Sequence, residues 1–103
     1  MFIETKQRTK IVVRKNGLCR LYALTGGELR LFLCILKHAK YSEEKEVSVD
    51  LLKCHKQAIA KELGFSSTGS IDNGLQKLVK RGLIKRKCYA FYVFDKEIVY
   101  GLE

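Results

Sequence analysis

Cys34 and His38 stand one helical turn apart, and Cys54 is followed directly by His55. Thiolate and imidazole are donors that a zinc ion takes, so these four residues are the first candidates for chemistry. The pattern stops short of a metal motif, because Cys19, Cys34, Cys54 and Cys88 are scattered and none forms a C-x-x-C pair. Such spacing reads better as reduced thiols packed like small hydrophobic side chains, with no metal and no cofactor. Glu43, Glu44, Glu46 and Asp50 make the only acidic cluster. Paired carboxylates can do acid–base work, but no nucleophile, metal site or glycine loop accompanies these, which argues against an enzyme. A third group has a different chemistry. Lys77, Lys80, Arg81, Lys85, Arg86 and Lys87 follow one another with no acid among them, and Thr68, Asn73 and Gln76 lie just ahead. Cations suit phosphate oxygens, and side-chain amides can bond a base edge through a donor and an acceptor at once.

Bulk properties agree with a polyanionic partner. The chain has 103 residues and a formal charge of +9, with 47% hydrophobic residues. That length is one ordinary core. The basic excess favours DNA or RNA over a membrane surface, although a basic protein with no nucleic-acid role would share it. The longest apolar run, Leu31 to Leu36, is far short of a membrane span. The first residues, Met1 to Lys6, lack the pattern of a signal peptide, so a cytoplasmic location is expected. The same absence argues against a disulfide framework.

The elements that must position these side chains follow from periodicity. Residues 1–24 read as an N-terminal basic β-hairpin or arm. Arg8 to Arg14 and Leu18 to Leu24 are β-rich, with Asn16-Gly17 as the turn between them. Lys6, Arg8, Lys10, Arg14, Lys15 and Arg20 would make it either a phosphate-touching ribbon or an edge protected by charge. Thr25 and Glu28 fit a capping box opening a first helix. Leu29, Phe32, Leu33 and Leu36 give that helix a core face, while Leu31 and Ile35 give it a second apolar side. Either the hairpin covers that side or a second subunit does, which is the ground for a homodimer. Val47 to Val49 reads as a short strand.

A second helix from Leu52 or Cys54 to Leu63 stops at Gly64. A third starts among Ser66, Ser67 and Thr68, whose hydroxyls are good caps, and runs to about Arg81. Ile71, Leu75 and Leu78 face inward, leaving Thr68, Gly69, Asp72, Asn73, Gln76, Lys77 and Lys80 outward. Asp72 sits awkwardly on a face meant for an anion. Leu83 to Lys87 and Tyr89 to Phe94 read as two strands with a turn near Lys87-Cys88. Their rings read mostly as sheet core. A basic-aromatic strand can also stack single-stranded bases. Asp95 to Glu103 reads as a capping tail.

From about Leu24 to Gly101 the chain resembles the winged helix-turn-helix family. LTGGELRLFLCIL, QAIAKELGFS and SIDNGLQKLVKRGLIKR carry the resemblance through the helices, and YAFYVFDKEIVYG through the wing and tail. It is similar, more narrowly, to RepL-type plasmid replication proteins and related bacterial regulators. The resemblance implies an α+β winged helix-turn-helix at 25–103, a three-helix core with a short β wing. It implies DNA contacts at Ser67, Thr68, Ser70, Asn73 and Lys77, and a backbone grip by Lys85, Arg86 and Lys87. Three features depart from the pattern: a turn before Ile71 one residue longer, Gly74 in place of a small alanine, and the N-terminal basic hairpin.

Together these readings make the expected function double-stranded DNA binding, as a transcription regulator or a replication initiator of a mobile element. Thr68, Asn73 and Gln76 would read bases, while Lys77, Lys80, Arg81, Lys85, Arg86 and Lys87 hold phosphates. The alternatives are a protein-interaction or dimerisation module, and an RNA or single-strand binder.

Overall fold

Three helices at the centre of the chain fall where the leucine spacing places them. A computed structural model describes residues 2–5, 10–41 and 46–102. Helix α2 spans Gly26–Lys37, α3 spans Lys53–Leu63 and α4 spans Gly69–Lys80. They pack on one another. Both α3 and α4 end on a glycine in the left-handed region, Gly64 and Gly82, each with φ 77°. Only glycine takes that conformation cheaply, which is why the helices stop there. Phe65 then bonds back to the Ala60 carbonyl, and Leu83 to that of Leu78.

Strands surround this core in two antiparallel sheets. Strands β1 (Phe2–Glu4), β2 (Lys10–Val13) and β7 (Val99–Leu102) form one sheet, with β2 in the middle. Strands β3 (Lys40–Tyr41), β4 (Val47–Asp50), β5 (Ile84–Cys88) and β6 (Phe91–Phe94) form the other, in the order β3-β4-β6-β5. The architecture is α+β. The Phe32 ring of α2 meets Phe94 of β6 edge-on, with centroids 5.5 Å apart. Ile11, Val13 and Leu21 enter the same buried cluster as Phe32 and Leu75. No helix among the described residues is long and apolar enough to cross a membrane.

The N-terminal element differs from the sequence reading. Residues Lys15–Tyr22 form helix α1, not a turn and a return strand. Asn16-Gly17 would need positive φ to make the turn, and Gly17 is not among the positive-φ glycines. Its lack of a side chain serves a close approach instead. A Cβ on Gly17 would lie 2.8 Å from the Ile98 carbonyl oxygen, so α1 can rest on the tail only through glycine. Leu18 and Leu21, three apart, turn inward beside it. The antiparallel pairing that does form joins β1 to β2, in the register Ile3 to Ile11. Lys6 and Arg8 lie outside the described residues. The tail is likewise a strand rather than a cap, with Val99 opposite Val13.

Smaller corrections have equally local causes. Thr25 does cap α2, accepting from the Glu28 amide at 3.3 Å. The Glu28 carboxylate approaches Arg81 rather than the helix start. Both apolar sides of α2 are covered within the chain: Leu31 is 2% exposed and Ile35 fully buried. The spare face on which a homodimer rested is therefore absent. Gly74, which costs helix propensity, sits where a Cβ would overlap Leu31 and so lets α4 close onto α2. The β5–β6 turn falls at Tyr89-Ala90, because a bulge between Arg86 and Cys88 lengthens β5.

Candidate nucleic-acid interface

Helix α4 buries Ile71, Leu75 and Leu78, so its opposite face points to solvent. Asn73, Gln76, Lys77 and Lys80 are all exposed on that side. The helix begins without a side-chain cap: Thr68 has helical torsions and its hydroxyl accepts no bond from the first turn. The caps expected of Ser66, Ser67 and Thr68 are thus not used by Thr68, and Ser66 and Ser67 stay exposed.

The ridge of α4 separates two depressions. On one side a cleft of about 470 Å3 is bordered by Lys53, Lys56, Thr68, Gln76, Arg86 and Tyr89. On the other a groove of about 270 Å3 is bordered by Thr25, Ser70, Asn73 and Lys77. Ser67 and Thr68 edge a third hollow beside Gln57 and Lys61. The residues expected to read bases are therefore spread over the crest and both flanks of one helix.

Asp72, the misplaced acid of the sequence reading, has a partner. Lys56 Nζ of α3 lies 2.7 Å from its carboxylate. The pair is half-exposed, so its energy is small. Its effect on the field is larger, because it removes a bare negative charge from the cleft. Lys53 joins this cleft although nothing in its spacing singled it out, and so does Tyr89, which the sequence placed in a strand with rings mostly in the sheet core. Tyr89 is 84% exposed at the tip of the β5–β6 turn. Arg86 holds that turn: its Nε and Nη2 donate to the Tyr89 carbonyl at 3.1 and 2.7 Å. Of the rings in β6, Tyr92 and Phe94 point inward and are buried, while Phe91 alternates to the other face and is half-buried.

The expected phosphate contacts divide into distinct environments. Lys77, Lys80 and Lys85 are exposed and have no acidic partner among the described residues. Lys87 lies 3.1 Å from Glu46. Strand alternation puts Lys85 and Lys87 beside Glu46, Val79 and Asp95, away from the cleft that Arg86 borders. Arg81 Nε approaches Glu28 Oε2 to 2.7 Å, close enough for an ion contact but not aligned as a hydrogen bond. Arg20 Nη2 donates to the Arg81 carbonyl at 2.9 Å. Arg81 thus ties the end of α4 to the start of α2. Glu28 is 8% exposed and Arg81 about half, so the contact falls between a buried and a surface pair. Arg81→Ala is expected to cost about 1–2 kcal/mol of stability in urea unfolding, leaving nucleic-acid affinity almost unchanged. Unchanged stability with lost affinity would make Arg81 a phosphate contact after all.

Arg14 and Arg20, near the N-terminus, also have structural partners. Arg14 Nε donates to the Lys96 carbonyl at 3.0 Å and its guanidinium lies 4.3 Å over the Tyr100 ring. Arg20 lies 3.4 Å from Asp95. None of the four cysteines forms a disulfide, and only Cys34 is buried, so the reading of thiols as hydrophobic filler can fit no other. Cys54 and His55 are exposed on the first turn of α3. The chain matches no protein-family model, no curated protein and no solved structure.

Proposed function

We propose that the chain is a cytoplasmic double-stranded DNA-binding protein of the winged helix-turn-helix kind. Helix α4 enters the major groove, and the β5–β6 hairpin lies along the backbone as the wing. The observation that carries this reading is the outward stripe of α4, where Asn73, Gln76, Lys77 and Lys80 stand clear of the core. Amides near the middle of the helix suit base edges, and lysines toward its end suit phosphates. The neutralised Asp72 and the Arg86-braced turn favour the same approach. The biological role is transcription regulation or replication initiation, following the resemblance of the helices and the wing.

Fluorescence anisotropy against random duplex, single-stranded DNA and duplex RNA across a salt series tests this. If Lys77, Lys80, Lys85 and Arg86 each neutralise one phosphate, log affinity for duplex DNA falls with log salt at a slope of about −3.6. Recruiting Arg81 and Lys87 as well would steepen it to about −5. A flat slope sinks the proposal, and a preference for single strands would turn attention to the exposed Tyr89.

Two substitutions separate reading from gripping. Asn73→Ala is expected to lose about 1–3 kcal/mol on a preferred site and little on random duplex. Arg86→Ala is expected to weaken binding to both alike. Equal losses for the two variants on both kinds of DNA would remove the division of labour.

A further inference from the structure

Cys34 lies in the last turn of α2 and His38 caps the end of that helix, and Glu62 reaches the same place from the last turn of α3. Cys34 Sγ is 2.8 Å from Glu62 Oε2, and His38 Nε2 is 3.8 Å from that same oxygen. One ligand atom from each residue lies within 4.8 Å of the other two. We propose that these three side chains bind a single zinc ion, which clamps α2 to α3.

The donor set selects the metal. A thiolate, an imidazole and a carboxylate are all zinc ligands, whereas calcium and magnesium take oxygen alone. Metal–ligand distances of about 2.0–2.3 Å in a tetrahedron place neighbouring donors roughly 3.3–3.8 Å apart. The His38–Glu62 separation already lies at that spacing. The Cys34–Glu62 contact must open by less than about 1 Å to match it, which rotation of the half-exposed Glu62 supplies.

Charge and access fit as well. On binding, the Cys34 thiol gives its proton to water. A thiolate and a carboxylate then balance the two positive charges of the ion, so the partly buried site stays neutral. Cys34 lies at the closed end, 4% exposed, while the Glu62 side chain is 40% exposed. Entry is from the Glu62 side, where water can complete the coordination. Cys54 and His55 take no part. The site lies away from the outward stripe of α4 and does not depend on the nucleic-acid reading.

The test uses the full chain with Cys19, Cys54 and Cys88 changed to serine, so that Cys34 is the remaining thiol. Titration with cobalt(II) is expected to give a thiolate-to-cobalt absorption band in the near ultraviolet, saturating at one ion per chain. Zinc should displace the cobalt. Cys34→Ser should abolish the band. Glu62→Gln, at the exposed edge, should keep the fold and weaken zinc binding tenfold or more. Zinc should also raise the unfolding temperature of the parent more than that of the Glu62→Gln variant. Absence of the band, a band that survives Cys34→Ser, or equal zinc affinity in Glu62→Gln would each overturn the proposal.

Discussion

Replacing both Lys77 and Lys80 with alanine is expected to weaken duplex DNA binding roughly 60-fold at 0.1 M salt and to flatten the salt slope by about 1.8. The estimate follows from counterion release. Each phosphate contact contributes about 0.9 to the slope, and so close to a tenfold factor at a tenth of molar salt. Both lysines are exposed, and neither has an acidic partner among the described residues. Alanine is also the better helix former, so α4 should persist. Circular dichroism checks the fold while anisotropy measures the slope. A variant that is folded and binds with an unchanged slope would place the DNA elsewhere on the molecule.

Phe32→Ala carries the largest stability effect, about 3–5 kcal/mol in urea unfolding. Phe32 is fully buried and is the residue through which α2 meets β6. Its loss leaves a cavity between the helical core and the sheet that carries the β5–β6 hairpin, with the edge-on contact to Phe94 gone. The melting temperature should fall by at least about 12 °C, at roughly 4 °C per kcal/mol for a domain of this size. Below the transition, duplex affinity should stay near that of the parent, because Phe32 touches none of the proposed contacts. A small loss of stability would show that the two layers can collapse around the gap.

Local signals disclosed the helical centre of this fold and little of what surrounds it. Leucine spacing and the stops at Gly64 and Gly82 located α2, α3 and α4, since helix periodicity and left-handed glycines are readable without a partner. Asn16-Gly17 misled because its local meaning is a turn, and the contact that decides the matter is Ile98, far along the chain. Gly74 read only as a departure from a small alanine for the same reason, its partner Leu31 being on another helix. The candidate interface divides similarly. The outward stripe of α4 was legible from its own residues. The pairing of Arg81 with Glu28, of Asp72 with Lys56, and the arrival of Glu62 beside Cys34 were not, because each joins two elements whose relative placement only the packing sets.

Strand β2 lies between β1, made just before it, and β7, made long after it. During synthesis its first edge can be filled almost at once, while the second must wait for Val99–Leu102. The helices α2 to α4 depend mainly on nearer contacts and can assemble meanwhile. Pairings so distant along a chain form slowly, and a strand edge left open invites another chain to pair with it. Ribosomes crowded on one message would hold several such edges close together. A chain cut short before Val99 is therefore expected to associate through the open edge of β2.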